Sequence, residues 1–283
     1  MNKIFIAGAS GNIGKELTAF LLKKKKFELH CSYYKSKISH KNIRNFYTYK
    51  INLVKKNSIK KLKRINPDLI INLAAFTNPA KNEVYPKKSF EKNVVINRNI
   101  VNYCYRYKKK LIFTSTDKVY GGNIKTPREK QDIKPDNIYG INKLKCEFEI
   151  KNKLKKYLIL RYASVYSEKI NAINNFINDQ IRELKKGKKI HVATNVYRLF
   201  ISAEYLCEII FKLIKRDAVG TFNIGSNASN YYNLMHSICK KNKINVNKIL
   251  FKKKIMVKPQ YLIPSLKKIN KYLKLRNTNS ISI

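Results

Sequence analysis

The chain of 283 residues has no tryptophan, nine glycines, seven prolines and only 17 acidic residues to set against 61 lysines and arginines. It also lacks any apolar run near the ~20 residues that a membrane-crossing helix needs. Its apolar opening, "IFIAGA", runs straight into glycine with no cleavage-like segment behind it. These absences give the expectation of a soluble, cytoplasmic protein with no membrane partner. The five cysteines (Cys31, Cys104, Cys146, Cys207 and Cys239) are odd in number, scattered and never in C-x-x-C spacing. That pattern argues against a disulfide framework or a zinc knuckle, so no metal is expected and the thiols are read as reduced.

The shortage of acid leaves a formal net charge of +44. Such a balance points either to a polyanionic partner or to a lysine-, asparagine- and isoleucine-rich composition spread over every solvent face. Lysine runs from the first residues to "LKKINKYLKLR", in short clusters such as "KKKK" at 23–26, and arginine is scarce beside it. Arginine is the better reader of phosphate and bases. The spread therefore favours composition, and no specific nucleic acid is expected.

What is present is an alternation of short apolar runs with longer amphipathic ones. This is the pattern of an open, doubly wound parallel α/β sheet. Strands are expected at "KIFIAG", "FELHCSYY", "FYTYKIN", "DLIINLAA", "KLIFTST" and "YLILRYAS", with helices at "IGKELTAFLLKKK" and "SFEKNVVINRNIVNYCYRYKKK". These units make a dinucleotide-binding domain over residues 1–163. Residues 164–283 form a smaller substrate-binding lobe with segments returning to the sheet. Helices are expected there at 171–187, 203–216 and 230–242 and a strand at "GTFNIGS". The Lys-rich segment 251–271 carries no clear element, and the polar tail "RNTNSISI" is expected to fray.

The first strand runs into "GASGNIG", with Gly8, Gly11 and Gly14 at the start of the first helix. Gly8 allows the tight turn, Gly11 lets backbone approach a pyrophosphate and Gly14 lets the helix pack closely, its N-terminal amides facing the phosphates. Ser10, Asn12 and Ile13 share that loop. An acid at the end of the second strand would bond the ribose hydroxyls of NADH. The segment "HCSYYKSK" has none and offers Ser32, Lys35 and Lys37 instead. NADPH is the expected cofactor, with NADH second.

The strand "LIFTST" ends in "STDKVYG", and "DNIYGINKLKCE" follows, placing Tyr139 and Lys143 four apart on one helix face. An ammonium beside a phenol favours the phenolate and equips the tyrosine to give and recover a proton near neutral pH. Thr116, at the carboxyl end of its strand, sits where open α/β sheets bind ligands.

With these motifs, and with "PDLIINLAAFTNPAKNE", "FEKNVVINRN", "LILRYASVYS" and "YRLFISAEYLCEII", the chain resembles the extended short-chain dehydrogenases/reductases that act on nucleotide sugars. Within them it is most similar to the dTDP-4-dehydrorhamnose reductases. The resemblance implies Thr116 as catalytic hydroxyl, Tyr139 as acid/base, Lys143 as ribose ligand and pKa modifier, and Asn93 as support for the proton relay beside the cofactor. It further implies Ala74 and Ala75 at the cofactor. Thr77, Asp117, Lys118, Arg198 and Arg161 are candidates for the substrate side.

The implied reaction is NADPH-dependent reduction of a nucleotide-linked 4-keto-6-deoxy sugar, for deoxysugar and surface polysaccharide supply, and a homodimer is compatible with it. Two departures stand out. No aromatic follows "STD", and Asn52 occupies a position where many relatives have Asp. The Asp117–Lys118 pair keeps a 4,6-dehydratase open, with a 4-epimerase behind it. A non-catalytic regulatory or RNA-binding relative is the remaining alternative.

Overall fold

The computed structural model describes residues 2–275 apart from 37, 39–42, 123, 132, 174, 248 and 257. Lys37 and the tail 276–283 therefore lie outside the described residues. Among those described, no helix is long and apolar enough to cross a membrane.

The first half alternates as its apolar runs predict: β1 Asn2–Ala7, α1 Asn12–Lys23, β2 Phe27–Tyr33, β3 Phe46–Lys50, α2 Ser58–Ile65 and β4 Leu69–Asn72. The short helices α3 Pro79–Val84 and α4 Pro86–Phe90 follow, each with proline in its first turn, where the missing N–H costs nothing. The chain then makes one π turn, Glu91–Val95, before α5 Ile96–Arg106. The single helix expected from residue 89 is thus present, beginning at Pro86, with Asn93 in a π turn inside it. After β5 Lys110–Thr116 comes a 3₁₀ turn, Asp117–Tyr120, then β6 Ile124–Lys125, α6 Ile138–Lys153, β7 Tyr157–Tyr162 and β8 Ser164–Tyr166.

The remainder is α7 Phe176–Lys185, β9 Ile190–Ala193, β10 Val196–Ser202, α8 Ala203–Lys215, β11 Gly220–Ile224, β12 Asn227–Asn230, α9 Tyr231–Lys241, β13 Leu250–Lys253, β14 Gln260–Ile263 and α10 Lys267–Leu273. Three of these elements, β13, β14 and α10, lie in the Lys-rich stretch whose pattern showed none. Their strands are four residues long, too short to display a period.

The main sheet has seven strands in the order β11-β7-β5-β4-β1-β2-β3. The pairs β1–β2, β1–β4, β2–β3 and β4–β5 all run parallel. Strand order reverses at β1/β4, the switch point at which open sheets bind ligands. Central strands are apolar on both sides because both faces are covered: Ile4, Phe5, Ile6, Ile70, Ile71, Leu111 and Ile112 are all buried. One face packs Phe5, Ile70, Leu111 and Phe113 against Leu62, Ile100, Val101 and Ile150 of α2, α5 and α6.

The chain divides into two compact units. The first comprises Met1–Gly121, Ile133–Arg161 and Ile209–Phe222, and the second comprises Gly122–Asp132, Tyr162–Glu208 and Asn223–Ile283. Ile209–Phe222 thus returns to the first unit, and Gly122–Asp132 belongs to the second. Residues 122–132 leave the first unit because β6 pairs with β14 far along the chain. The latter part of α8 and most of β11 belong to the first unit, where β11 is the outer strand beside β7. In the second unit, β10 pairs with β12, β14 and β8. Its core gathers Ile177, Ile181, Val192, Phe200, Met235, Ile238 and Leu250.

Candidate active site

The turn after β1 requires glycine at two points. Gly8 has φ +77°, and a Cβ there would lie 2.8 Å from the backbone of Ala74 at the end of β4. A Cβ on Gly14 would lie 2.4 Å from the Gly8 carbonyl oxygen. The first turn of α1 is therefore drawn onto the β1 and β4 ends, across the switch point. Gly11 is the N-cap and has no side chain to place over the first turn, which carries the positive end of the helix dipole at the loop 8–14. A tight glycine turn leading into a helix N-terminus fits a dinucleotide pyrophosphate.

At the end of β2, Ser32 is buried; its hydroxyl donates to the Ile6 carbonyl (3.4 Å) and accepts from Gly8 N–H (3.4 Å). These two bonds tie Ser32 to β1 and to the glycine turn. Tyr34 and Lys35 are the exposed residues just beyond it. Asn52 also has a local role, its Oδ1 accepting from Val54 N–H at 3.1 Å.

After β4, Ala74 and Ala75 are half-buried and Thr77 is exposed. Ala74 N–H donates to Asn72 Oδ1 (3.2 Å). The Asn93 side chain, turned inward by the π turn, takes both backbone groups of Phe76, accepting from N–H at 2.9 Å and donating to the carbonyl at 3.2 Å. Asn93 therefore holds the loop that follows β4. Its Nδ2 also donates to Asn82 Oδ1 (3.1 Å), and Asn142 Nδ2 donates to Ser89 Oγ (2.8 Å), itself bonded to Asn82. Sequence reasoning missed Asn82, Ser89 and Asn142. All three are buried polar groups; Asn82 and Ser89 bond neighbours within 78–93, and Asn142 reaches Ser89 from α6, 53 residues on.

The segment 115–120 carries the remaining chemistry. Thr116 ends β5; its hydroxyl accepts from Lys118 N–H (3.2 Å) and donates to Asp117 Oδ1 (3.2 Å). Asp117 is buried and Lys118 half-buried. Helix α6 begins beside them: Asn137 caps it by accepting from Gly140 N–H (2.8 Å), and a Cβ on Gly140 would lie 2.6 Å from the Lys118 carbonyl. Glycine after Tyr139 thus lets the first turn of α6 lie directly against the 3₁₀ turn.

Tyr139, Lys143 and Glu147 share the inward face of α6 at intervals of four. The Lys143 ammonium donates to the Thr114 carbonyl (2.7 Å), lies 5.8 Å from the centre of the Tyr139 ring and is 2% exposed. Burial lowers its pKa to about 8, against the smaller upward pull of neighbouring charges.

Glu147 and Arg161 form a fully buried ion pair, with Nε to Oε1 at 2.9 Å and Nη2 to Oε2 at 2.5 Å. Arg161 Nη1 also donates to the Tyr120 hydroxyl (2.8 Å), and Ser115 Oγ donates to Glu147 Oε1 (2.6 Å). Arg161, a candidate for the substrate side, is instead committed inside the first unit, because β7 is a central strand with its side chains packed on both faces. Glu147 was missed although its spacing from Tyr139 and Lys143 was visible. Arg198 lies half-buried on β10 in the second unit, opposite Ser229 and Leu262. Among the described residues no group of three or more acidic, histidine or cysteine side chains could hold a metal ion.

The chain has relatives among known proteins. The chain is 26% identical over 257 residues to the dTDP-D-glucose 4,6-dehydratase of Dictyostelium discoideum, covering 80% of this chain and 58% of that protein. It is 32% identical over 148 residues to the dTDP-4-dehydrorhamnose reductase of Shigella flexneri, covering 52% and 48%. The chain thus spans about half the length of these curated relatives. In fold it matches the dTDP-4-dehydrorhamnose reductase of Bacillus anthracis in complex with NADP, with TM-score 0.79, 22% identity and coverage of 96% and 92%. Residues 1–259 match the family model described as the RmlD substrate binding domain, and the chain belongs to that family.

Proposed function

We propose that this protein is an NADPH-dependent reductase of a nucleotide-linked 4-keto-6-deoxy sugar, working in the cytoplasm in the supply of deoxysugars for surface polysaccharide. The observation that carries the reading is the buried Lys143 ammonium beside Tyr139, on the helix whose first turn lies against the end of β5. In this reading the backbone of residues 8–14 holds the pyrophosphate, Ala74 and Ala75 border the cofactor, and the exposed Lys35 lies toward the adenosine ribose in place of an acid. The bound nicotinamide supplies the hydride.

This chain's own residues do the rest. Lys143 has one N–H on Thr114 and two left for ribose hydroxyls, and its charge favours the phenolate of Tyr139. Tyr139 gives its proton to the oxygen of the carbonyl being reduced, and the Thr116 hydroxyl orients the same oxygen. Thr77, Asp117, Lys118 and Arg198 are assigned to the sugar nucleotide. The likeness to dTDP-4-dehydrorhamnose reductases in sequence supports the substrate class.

A second reading has its own observation. Asp117 is a buried carboxylate next to Lys118 at the site, and the relative with the longer match is named a 4,6-dehydratase. Such a pair could remove water across two sugar carbons. The test is NADPH absorbance with a panel of 4-keto sugar nucleotides, beside dTDP-glucose and CDP-glucose monitored for 4-keto product. NADPH consumption that requires the keto sugar, with NADH poorer, supports the reductase. Keto-sugar formation without net NADPH loss supports the dehydratase and overturns it.

A further inference from the structure

The segment 115–120 is held at both ends by one buried ion pair. Glu147 accepts from Ser115 Oγ at its start (2.6 Å), and Arg161 donates to the Tyr120 hydroxyl at its end (2.8 Å). Between these ends stand Thr116, Asp117 and Lys118. All four clamp residues are at most 2% exposed. Each carboxylate oxygen of Glu147 has two donors: Ser115 and Arg161 Nε on Oε1, and Arg161 Nη2 and Lys151 Nζ (3.4 Å) on Oε2. Arg161 also lies over the Tyr120 ring, 5.0 Å from its centre.

We propose that the Glu147–Arg161 pair is a positioning device that fixes the ends of segment 115–120, and with them the direction in which Thr116 presents its hydroxyl. Glu147 bonds Ser115 and Arg161 bonds Tyr120, at the two ends of the segment. The pair acts through these two residues. Burial opposes ionisation of Glu147, yet the hydrogen bond and charge of Arg161, with Ser115, hold its carboxyl below the usual range. The clamp thus stays charged at any pH at which the enzyme works. An apolar pair would fill the same volume at less desolvation cost, but it would grip neither hydroxyl. Lys143 adds a third hold from the same helix face, on the Thr114 carbonyl one residue upstream. Two successive positions, 114 and 115, are thereby held from α6, immediately before Thr116.

For catalysis the inference rests on the reductase reading, but the clamp itself does not. The test uses the whole chain and single-atom changes, because truncating Glu147 or Arg161 leaves a buried charge unpaired and endangers folding. Ser115→Ala removes one end of the clamp, Ser115→Thr keeps its hydroxyl, and Tyr120→Phe removes the other hydroxyl while keeping the ring on Arg161. Amide exchange of peptides covering 115–121 should speed up about fivefold in Ser115→Ala, the loss of roughly one hydrogen bond. Ser115→Thr should restore it and Tyr120→Phe should show a smaller rise.

With substrate, kcat should fall about tenfold in Ser115→Ala, as misplacement of a catalytic group by a fraction of an ångström does. NADPH affinity and the KM of the sugar should stay within about twofold. Faster exchange confined to 115–121, with loss in kcat alone, supports the clamp. Unchanged exchange and kcat in Ser115→Ala overturn it, as does an exchange rise spread evenly over the chain. Should the wild-type chain turn over no keto sugar, the reductase reading fails and the exchange data still decide for or against the clamp.

Discussion

Replacing Lys143 with methionine should stabilise the apo protein at neutral pH while destroying its turnover. The ammonium is buried among Phe113, Tyr139 and Cys146, and burial brings its pKa from 10.5 to about 8. That shift is worth about 3 kcal/mol of cost to the folded state wherever both states carry the proton. Lys143→Met removes the cost, but it leaves the Thr114 carbonyl without its charged donor, a loss of about 1–2 kcal/mol. The net expectation at pH 7 is a gain of about 1–2 kcal/mol.

The pH dependence isolates the residue. Between pH 8 and 10.5 the unfolded wild-type chain still binds this proton and the folded chain does not, so wild-type stability rises with pH across that window through this group. The variant lacks the rise. Its advantage should therefore shrink above pH 8 and turn into a deficit of about 1 kcal/mol near pH 10. Urea unfolding of both proteins at pH 7, 8.5 and 10 measures this, and the other titrating groups cancel in the difference. A stability difference that stays constant from pH 7 to 10 would refute the reasoning.

Two further outcomes follow from the geometry. Tyr139→Phe should lose at least ~99% of kcat, as loss of a positioned acid/base does, while NADPH binding, followed by fluorescence titration, stays within about twofold; an active variant ends the assigned role. Gly14→Ala should place a methyl 2.4 Å from the Gly8 carbonyl, a backbone atom that can yield only by moving the turn. A cost of about 1–3 kcal/mol in unfolding free energy and a weakening of NADPH binding are expected, and unchanged affinity would mean that the cradle is not where the cofactor docks.

The residues that sequence alone could assign are those whose signal is local. A four- to seven-residue apolar run between turn residues marks β1, β2, β4, β5 and β7, and "GTFNIGS" marks β11, because buried parallel strands are apolar on both faces. The glycine loop and the Tyr139–Lys143 interval are likewise readable from spacing. The two-residue β6 was not readable, since its partner β14 lies more than a hundred residues away and neither strand is long enough to show a period.

The same holds for Ser32, whose hydroxyl bonds the carbonyl of Ile6 in the neighbouring strand, and for Arg161, whose partner Glu147 comes from another element. An arginine in the motif "LILRYAS" reads as a candidate for the substrate side until a buried carboxylate is found beside it. The π turn at Glu91–Val95 changes one hydrogen-bond step in an otherwise helical pattern, and no propensity marks it.

The central claim is hydride transfer from NADPH to carbon 4 of a nucleotide-linked sugar, and transfer of deuterium tests it most directly. The protein is incubated with NADPH deuterated on the transferred face of nicotinamide carbon 4 and a dTDP-4-keto-6-deoxy sugar, and the product is examined by proton NMR and mass spectrometry. One deuterium is expected at carbon 4 of the reduced sugar, and none in the Tyr139→Phe reaction. A product without deuterium, or a 4-keto sugar formed from dTDP-glucose with its hydrogen moved internally, would contradict it.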